Sequence, residues 1–537
     1  MIGKRKVQSS LFDVGNVWSF APDPKSFHGQ LAAVSDKLFV DDDFSASYSE
    51  HRGRPSTPPS LLALMLMLQN YEGISDEEAV MRSACDLRWA AVLRRPAGEP
   101  VCAKSTLQLY PAHMLLHESH KLFLQRSLTK AREKGLLKGQ HLKAATDTKP
   151  ILGRGAVEDT YNLLVTGMLQ LARAIARSRD ELLPVFLMRH GFSGLNATSF
   201  KGSVDIDWSD EAAREGVLTE LVKDARRLMA MASGSDPKIK KAADLLEQLL
   251  LQDVSEEATD KGEPLARRKK GTARGRVPSA TDPDQRHGHK SKSKVFTGSK
   301  GAVVVEVESG LFLATEVLPA DAGDAIDLLD LIDEAQINSE ATIDETLGDC
   351  AYGGGATRKE FADAGKNVIA KVAASSNCGG LFPKTDFLNV LPTAGISLKM
   401  ATVTCPAGVV AKRVSEDKEG TVTFQFGNLC NGCGLRKQCT TSERGRSVQL
   451  HAQERLIQEA RELQATPEGK AKLRQRIIVE NGLARLGHLG IGQARYIGRE
   501  KTRLQLALAA AVANFRRIWN WTPPEPGNRL QTSPVPG

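Results

Sequence analysis

Three acidic residues stand where carboxylates could converge on a metal ion. Asp147 closes a strand-like run, Asp349 closes another within Gly-Asp-Cys-Ala-Tyr, and Glu480 lies in a late helical stretch. Hard cations such as Mg²⁺ or Mn²⁺ take carboxylate oxygens. Two such ions about 3.5–4 Å apart can activate an attacking oxygen and stabilise a leaving one in phosphoryl transfer. Leu473, Ile477, Glu480 and Ala484 recur at i, i+4, i+7 and i+11, so Glu480 is expected on an apolar, core-facing stripe where it needs a partner. Arg476, one turn earlier, offers a plain i,i+4 ion pair as the alternative. Taken singly, each acid also reads as a turn or cap residue, as do the nearby Asp159, Asp344 and Glu345.

A second set of candidates is sulfur-based. Cys405, Cys430, Cys433 and Cys439 are spaced C-x24-C-x2-C-x5-C, and four thiolates suit tetrahedral Zn²⁺ in a closed, structural site. A redox role for the CxxC pair is the competitor, but no strand-helix-strand context surrounds it. The other four cysteines, Cys85, Cys102, Cys350 and Cys378, read as ordinary thiols, Cys350 as small core filling. MIGKRKVQSS has no apolar stretch after its basic residues, so no export signal is visible and a reducing, cytoplasmic setting is expected.

The elements that must position these groups follow from hydrophobic periodicity. Residues 58–93 read as two helices around Gly73-Ile74-Ser75, with Ser75 as N-cap and Glu78 as its capping-box partner. That pair suits a helix-turn-helix or plain bundle packing. A further helix is expected from His113 to Lys134, after Pro111. Residues 141–146 form a strand leading to Asp147, and 157–252 are helical. Then come strands at Lys294–Phe296 with Val303–Val307, and at Leu311–Val317, a helix at Asp324–Ala335, and strands at Ala341–Leu347 and Val368–Ala373. A Cys- and Gly-rich stretch covers 375–450, and the chain is helical from Gln453 to Trp519. With the two inserts removed, the order is strand, strand, strand, helix, strand, strand, helix, that of a ribonuclease-H-like core.

Composition narrows the class. The chain is 58.2 kDa, 41% hydrophobic and 25% charged, so it is a globular protein of several domains. The longest apolar runs, Leu61–Leu68 and Leu504–Ala513, fall short of the ~20 residues a spanning helix needs. No GxxxxGK[ST] loop is present, which argues against a P-loop ATPase. The net charge of +8 is unevenly placed. Residues 267–300 hold eleven Lys and Arg against Asp282 and Asp284, which makes that segment +9 and the rest of the chain −1. A local basic patch points to a polyanion. Candidate DNA contacts there are Arg267, Arg268, Lys269, Lys270, Arg286, Lys290 and Lys292; near the end they are Arg476, Arg485, Arg495 and Arg499, the last two expected on one helical stripe with Arg503. Trp519 and Trp521 read as packing residues.

ATDTKPILGRGAVEDTYNLL, SATDPDQRHGHKSKSKVFTGSK, GDCAYGG and RIIVENGLARLGHLGIGQARYIGREK resemble, in order, successive blocks of bacterial DDE-type insertion-sequence transposases. The resemblance is to the subgroup with an N-terminal helical InsH-type domain and a CPxG…CxxC insert. It implies that Asp147 (Asp-x-Thr), Asp349 (Asp-x-x-Tyr) and Glu480 (Arg-x3-Glu) hold two Mg²⁺ or Mn²⁺ ions. It also implies terminal inverted repeats and target duplex as DNA partners, and cutting at the element's ends followed by attack of the freed 3′-OH on target DNA. A homodimer or larger assembly on DNA, a nucleoid-associated site of action and no membrane complete the picture. The matching insert also favours zinc on the four cysteines. Where members often carry an aromatic residue after the Glu and a Lys seven residues on, this chain has Asn481-Gly482-Leu483 and Gly487, with Arg485 or His488 as substitutes for the charge. A DNA-binding protein without catalysis and a metal-dependent DNA nuclease are the alternatives.

The expected fold is α/β, mostly helical by content. Its parts are an N-terminal helical DNA-binding domain (1–135), a catalytic core in three pieces (136–156, 295–374, 451–521), a helical insert (157–254), a basic linker (255–294), a Cys-rich insert (375–450) and a disordered tail (522–537).

Overall fold

The computed structural model describes residues 1–5, 22–49, 53–197, 199–232, 236–258, 264–271, 273–291, 293–373, 380–393 and 396–522. Lys292, Cys378 and the tail from residue 523 lie outside these. The strands are β1 (His141–Leu152), β2 (Val254–Ala258), β3 (Pro264–Arg268), β4 (Arg286–Ser291), β5 (Lys294–Glu306), β6 (Phe312–Pro319), β7 (Thr342–Gly348), β8 (Asn367–Ala370), β9 (Leu388–Val390), β10 (Thr402–Thr404), β11 (Arg413–Glu416), β12 (Val422–Gln425) and β13 (Ser447–Leu450).

The main sheet is mixed. It runs β5-β1-β7-β8, with β4 and β6 pairing successive parts of β5. β5 is antiparallel to β1, β6 and β4, whereas β1, β7 and β8 are parallel. Val303, Val304 and Val305 in β5 are all fully buried, as an unbroken apolar run requires when both faces of a strand are covered. The two separate runs expected at 294–296 and 303–307 are thus one strand.

One apolar core joins this sheet to the N-terminal helices and to the last helix, Arg499–Trp519. That helix is nearly all buried and packs against β6 and the helices Pro59–Glu72, Lys104–Leu116 and Leu122–Glu133. Within its burial lies a polar clamp. The fully buried Asn514 accepts from the Phe312 N–H at 2.8 Å and donates to the Phe312 carbonyl (2.9 Å) and to Ser127 Oγ (3.0 Å). Two further units have cores of their own: the helical insert, with Leu163, Leu171, Phe186 and Leu246, and a small β unit of β9–β13, with Val403, Val422, Phe424 and Leu450.

Local chemistry explains most boundaries, including several that differ from expectation. Ser75 Oγ caps its helix by accepting from the Glu78 N–H, but the Glu78 carboxylate turns to Arg82 at 2.6 Å, so the reciprocal half of the box gives way to an ion pair. Asp86 breaks the expected 76–93 helix by capping Arg88. Pro111 lies inside the Lys104–Leu116 helix, and a separate helix begins at Leu122. The helix expected at 324–335 is Leu328–Ser339, and the long C-terminal helical stretch is four helices, one opened by Pro467. The segment read as a linker carries structure: β2 and β3 form a hairpin on the helical insert, and β4 pairs with β5. Trp519 packs against Phe27 and Phe515. No helix among the described residues is long and apolar enough to cross a membrane.

Asn514→Leu would leave the Phe312 N–H and carbonyl buried without partners. It is expected to cost about 2–6 kcal/mol in urea unfolding, at about 1–3 kcal/mol for each of the two orphaned groups. A loss below about 0.5 kcal/mol would show that the clamp is dispensable.

Candidate active site

Asp147 projects from the middle of β1, opposite Val303 of β5. Its carboxylate accepts from the Thr148 N–H at 2.7 Å. Burial pushes its pKa up to about 6, and the nearby charges of Asp349 and Asp324 add to the rise, against Thr148 and Arg476. A carboxyl so placed resists ionisation unless a cation compensates it.

Arg476 supplies one such cation. Its guanidinium lies 3.5 Å from Asp147 Oδ2 and 2.6 Å from Glu480 Oε1. One side chain therefore joins two of the expected acids across 329 residues of sequence. Asp349 follows β7, caps the short turn Cys350–Tyr352 by accepting from the Ala351 N–H at 2.8 Å, and is close enough for its charge to act on Asp147. The buried Tyr352 stacks its ring under Gly348, where a Cβ would lie 2.7–2.8 Å from it, and burial raises its phenol pKa. Asp147 and Asp349 thus lie in the middle and at the end of two neighbouring parallel strands, β1 and β7, while Glu480 comes from the helix Ile477–His488.

The route by which Glu480 arrives differs from the sequence expectation. The helix Ile477–His488 buries Val479, Gly482 and Leu486, whereas Ile477 is 60% exposed and the Glu480 side chain 51%. Leu473 belongs to the preceding helix, Pro467–Arg474. Glu480 therefore lies on the open face, and the stripe that looked apolar is the one that borders the site. Gly482 makes this packing possible, since a Cβ there would lie 3.3 Å from Val305 and Phe312 of the sheet.

Among the described residues no group of three or more His, Cys, Asp or Glu is placed to hold a metal ion. Arg476 stands between Asp147 and Glu480, and Asp349 acts on Asp147 through its charge, so the acids do not converge on a common point. The donor set still fits a hard cation, because a buried carboxyl crowded by like charges is what such an ion relieves. The other acids have structural roles. Asp159 caps the Thr160–Ser178 helix, Asp344 faces His141 at 3.1 Å, and Glu345 pairs with Lys472 at 2.6 Å. The sequence reading missed Asp324, which accepts from Thr148 Oγ1 at 3.1 Å and from Lys300 at 2.8 Å. It also missed Lys149, although position i+2 from Asp147 on a strand marks it as sharing that acid's face.

Cys405, Cys430, Cys433 and Cys439 line one small cavity in the β9–β13 unit, and Cys430 Sγ accepts from the Arg446 N–H at 3.4 Å. The four thiols are gathered but not drawn into ligating geometry. Cys102 is buried, its thiol pushed up to about 11, whereas Cys85 and Cys350 are exposed, so Cys350 is not core filling.

The basic residues divide between surface and interior. Arg267, paired with Glu215 and Glu257, and Arg268, Lys269 and Lys270 lie exposed on the helical insert. Arg286 donates to the carbonyls of Pro283 and Gln285, while Lys290 is exposed on the β4–β5 ribbon that extends past the end of β1. Arg485 is turned inward, over the Phe312 ring and onto the Gly310 carbonyl, with its pKa lowered to about 10 by burial. Arg495 precedes the last helix and ties it to Ile74 and Asp76 of the N-terminal helices. Its separation from Arg499 and Arg503 removes the expected stripe. Arg499 opens that helix with its N–H on Asp284.

Two family descriptions match the chain. Residues 18–110, the N-terminal helices, match "Transposase domain (DUF772)", and residues 404–519, from the cysteine cavity through Glu480 to the last helix, match "Transposase DDE domain". No curated protein and no solved structure matches. Transposase family descriptions thus match a segment at each end of the chain, with Asp147 and Asp349 between them and Glu480 inside the second, "Transposase DDE domain", segment.

Proposed function

We propose that the protein binds the terminal inverted repeats of its insertion sequence, cuts the DNA strand there and joins the freed 3′-OH to target DNA. The observation that carries this reading is the Arg476 bridge between Asp147 and Glu480, with Asp349 acting on the same carboxyl. The order β6-β5-β1-β7-β8, with β5 antiparallel to its neighbours, supports a ribonuclease-H-like core. The helices up to residue 135 and the basic ribbon of Lys290 serve as DNA-binding surfaces. Two copies or more act together, since two DNA ends must be paired.

Asp147, Asp349 and Glu480 would hold Mg²⁺ or Mn²⁺, which when bound supplies Lewis-acid stabilisation of the phosphate and its entering and leaving oxygens. Asp147, held in place by the Thr148 N–H, presents one oxygen anchored and one turned to Arg476. Arg476 keeps the acids from repelling one another, and its donors are suited to a DNA phosphate once the acids are otherwise neutralised. In the first step a water oxygen forms the new P–O bond and the 3′ oxygen leaves as a 3′-OH. In the second, that hydroxyl attacks a target phosphodiester and displaces a target 3′ oxygen.

For the small β unit we propose a structural Zn²⁺ on Cys405, Cys430, Cys433 and Cys439. The cavity that all four thiols line supports it.

Labelled duplex from the DNA flanking the gene, incubated with the protein and Mg²⁺ or Mn²⁺, should be nicked at a defined end, and Asp349→Ala should lower the rate at least about 100-fold. Binding without nicking by the unaltered protein would favour a DNA-binding role alone, and nicking that survives the substitution would remove Asp349 from the site. Raising the Asp147 pKa from 3.8 to about 6 makes the folded chain hold that proton longer than the unfolded one. Metal-free stability should therefore fall as pH rises from about 4 to 6. Asp147→Asn should remove that contribution and unfold at a higher temperature than the parent at pH 7, while abolishing cutting; a lower unfolding temperature would contradict the burial argument. Protein purified without chelator should carry about one zinc per chain, and a value near zero would reject the four-thiolate site.

A further inference from the structure

The site holds a cation that has no anion. Lys149 shares the β1 face of Asp147, two residues away. Gly487 shares the helix face of Glu480, seven residues or about two turns on. These positions meet in space, because a Cβ built on Gly487 would lie 3.4 Å from Lys149 Nζ. The half-buried ammonium thus sits over the far end of the face that carries Glu480, with Arg476 at its near end.

The neighbouring lysines of the sheet are paired: Lys143 with Glu345 at 3.6 Å, and Lys300 with Asp324 at 2.8 Å. Lys149 makes no hydrogen bond or ion pair among the described residues, and the charge acting on it is that of Lys290, of the same sign. A half-buried ammonium with no paired anion and a like charge acting on it is costly unless a ligand completes it. Gly487 adds a second cost, about 1 kcal/mol relative to Ala within a helix. Any side chain longer than alanine's would take the place of the ammonium. Both costs are explained by one occupant, an anionic group reaching Lys149 through the gap above Gly487. Seven residues of helix rise about 10 Å, or about three nucleotides at 3.4 Å of duplex axis per step.

We propose that Lys149 binds a backbone phosphate of the DNA strand being cut, within about three nucleotides of the cut, and that Gly487 is the opening through which that phosphate reaches it. This rests on the reading of the acids as a DNA-cutting site. Lys149 occupies, from the sheet, the ground that a long basic side chain on the helix at position 487 would otherwise cover. Lys290 flanks it from the β4–β5 ribbon and contacts the same strand farther along.

The test is the salt dependence of binding to a labelled duplex from the DNA flanking the gene, using the full chain. Each phosphate contact contributes about 0.9 to the slope of log affinity against log salt. Lys149→Ala should lower the slope by about that amount, so that raising salt from about 50 to 200 mM costs about 3.5-fold less affinity than in the parent. Lys149→Ala combined with Gly487→Lys should restore the slope, because the charge returns from the helix. Lys143→Ala, paired at the other end of β1, should leave it unchanged. An unchanged slope in Lys149→Ala, with the parent binding normally, would overturn the proposal while leaving the function intact. Loss of binding and nicking by the parent itself would overturn the function and this proposal together. Thermal unfolding separates a packing role: Lys149→Ala should melt at or above the parent, and a fall of several degrees would assign the lysine to the fold.

Discussion

A carboxyl group set into the middle of a covered sheet strand is the constraint on which this structure turns. Asp147 is placed where water solvates it poorly and where Asp349 and Asp324 bring further negative charge. Such an arrangement persists only if cations surround it. Lys300 takes up the charge of Asp324, and Arg476 reaches from the Glu480 helix to stand between two acids. The site is therefore under electrostatic tension in the absence of a metal ion. That tension is the physical basis of the metal-binding reading proposed above.

Holding that carboxyl still requires a rigid frame, and the frame joins helices within residues 59–133 to the helix Arg499–Trp519. The Arg499–Trp519 helix is buried between the sheet and the N-terminal helices, and Asn514 completes the hydrogen bonding of Phe312 while touching Ser127. Arg495 then ties the loop before this helix to Ile74 and Asp76. The N-terminal helices are thus not a bead on a string but one wall of the core that carries the acids. The two additions with their own cores enter at strand ends, one after β1 and one after β8, where they leave the order of the sheet undisturbed. The basic stretch is split by the same logic: residues 267–270 ride on the helical insert, while Lys290 sits on the ribbon of the main sheet beside Lys149.

Much of this could be read from residues alone, where the signal is local. Strand runs rich in valine, the acids at their ends, the CxxC spacing and the cap at Ser75 all depend on neighbours within a few positions. The reading failed where a local pattern had two physical meanings. Leu473, Ile477, Glu480 and Ala484 match a helical stripe, but the helix begins only at Ile477 and buries Val479, Gly482 and Leu486 instead. Gly482, noted in the sequence only as standing where an aromatic residue is often found, lets its helix pack against Val305 and Phe312. Pro111 looked like a helix start and lies within a helix. Arg485, counted among surface cations, is folded onto Phe312 and Gly310.

By itself the sequence determined which residue types are available, their spacing along each element and the order of those elements, because periodicity and capping act over one or two turns. It was enough to name Asp147, Asp349, Glu480 and Arg476 as candidates. Only the tertiary structure decided that Arg476 spans two of the acids, that Asp324 and Lys149 join them, and that the +9 stretch serves two different units. Those outcomes depend on which face of a helix meets which strand, and that is set by contacts between residues hundreds of positions apart. A charge gains or loses its partner at that level, so the electrostatics of the site could not be legible before the fold.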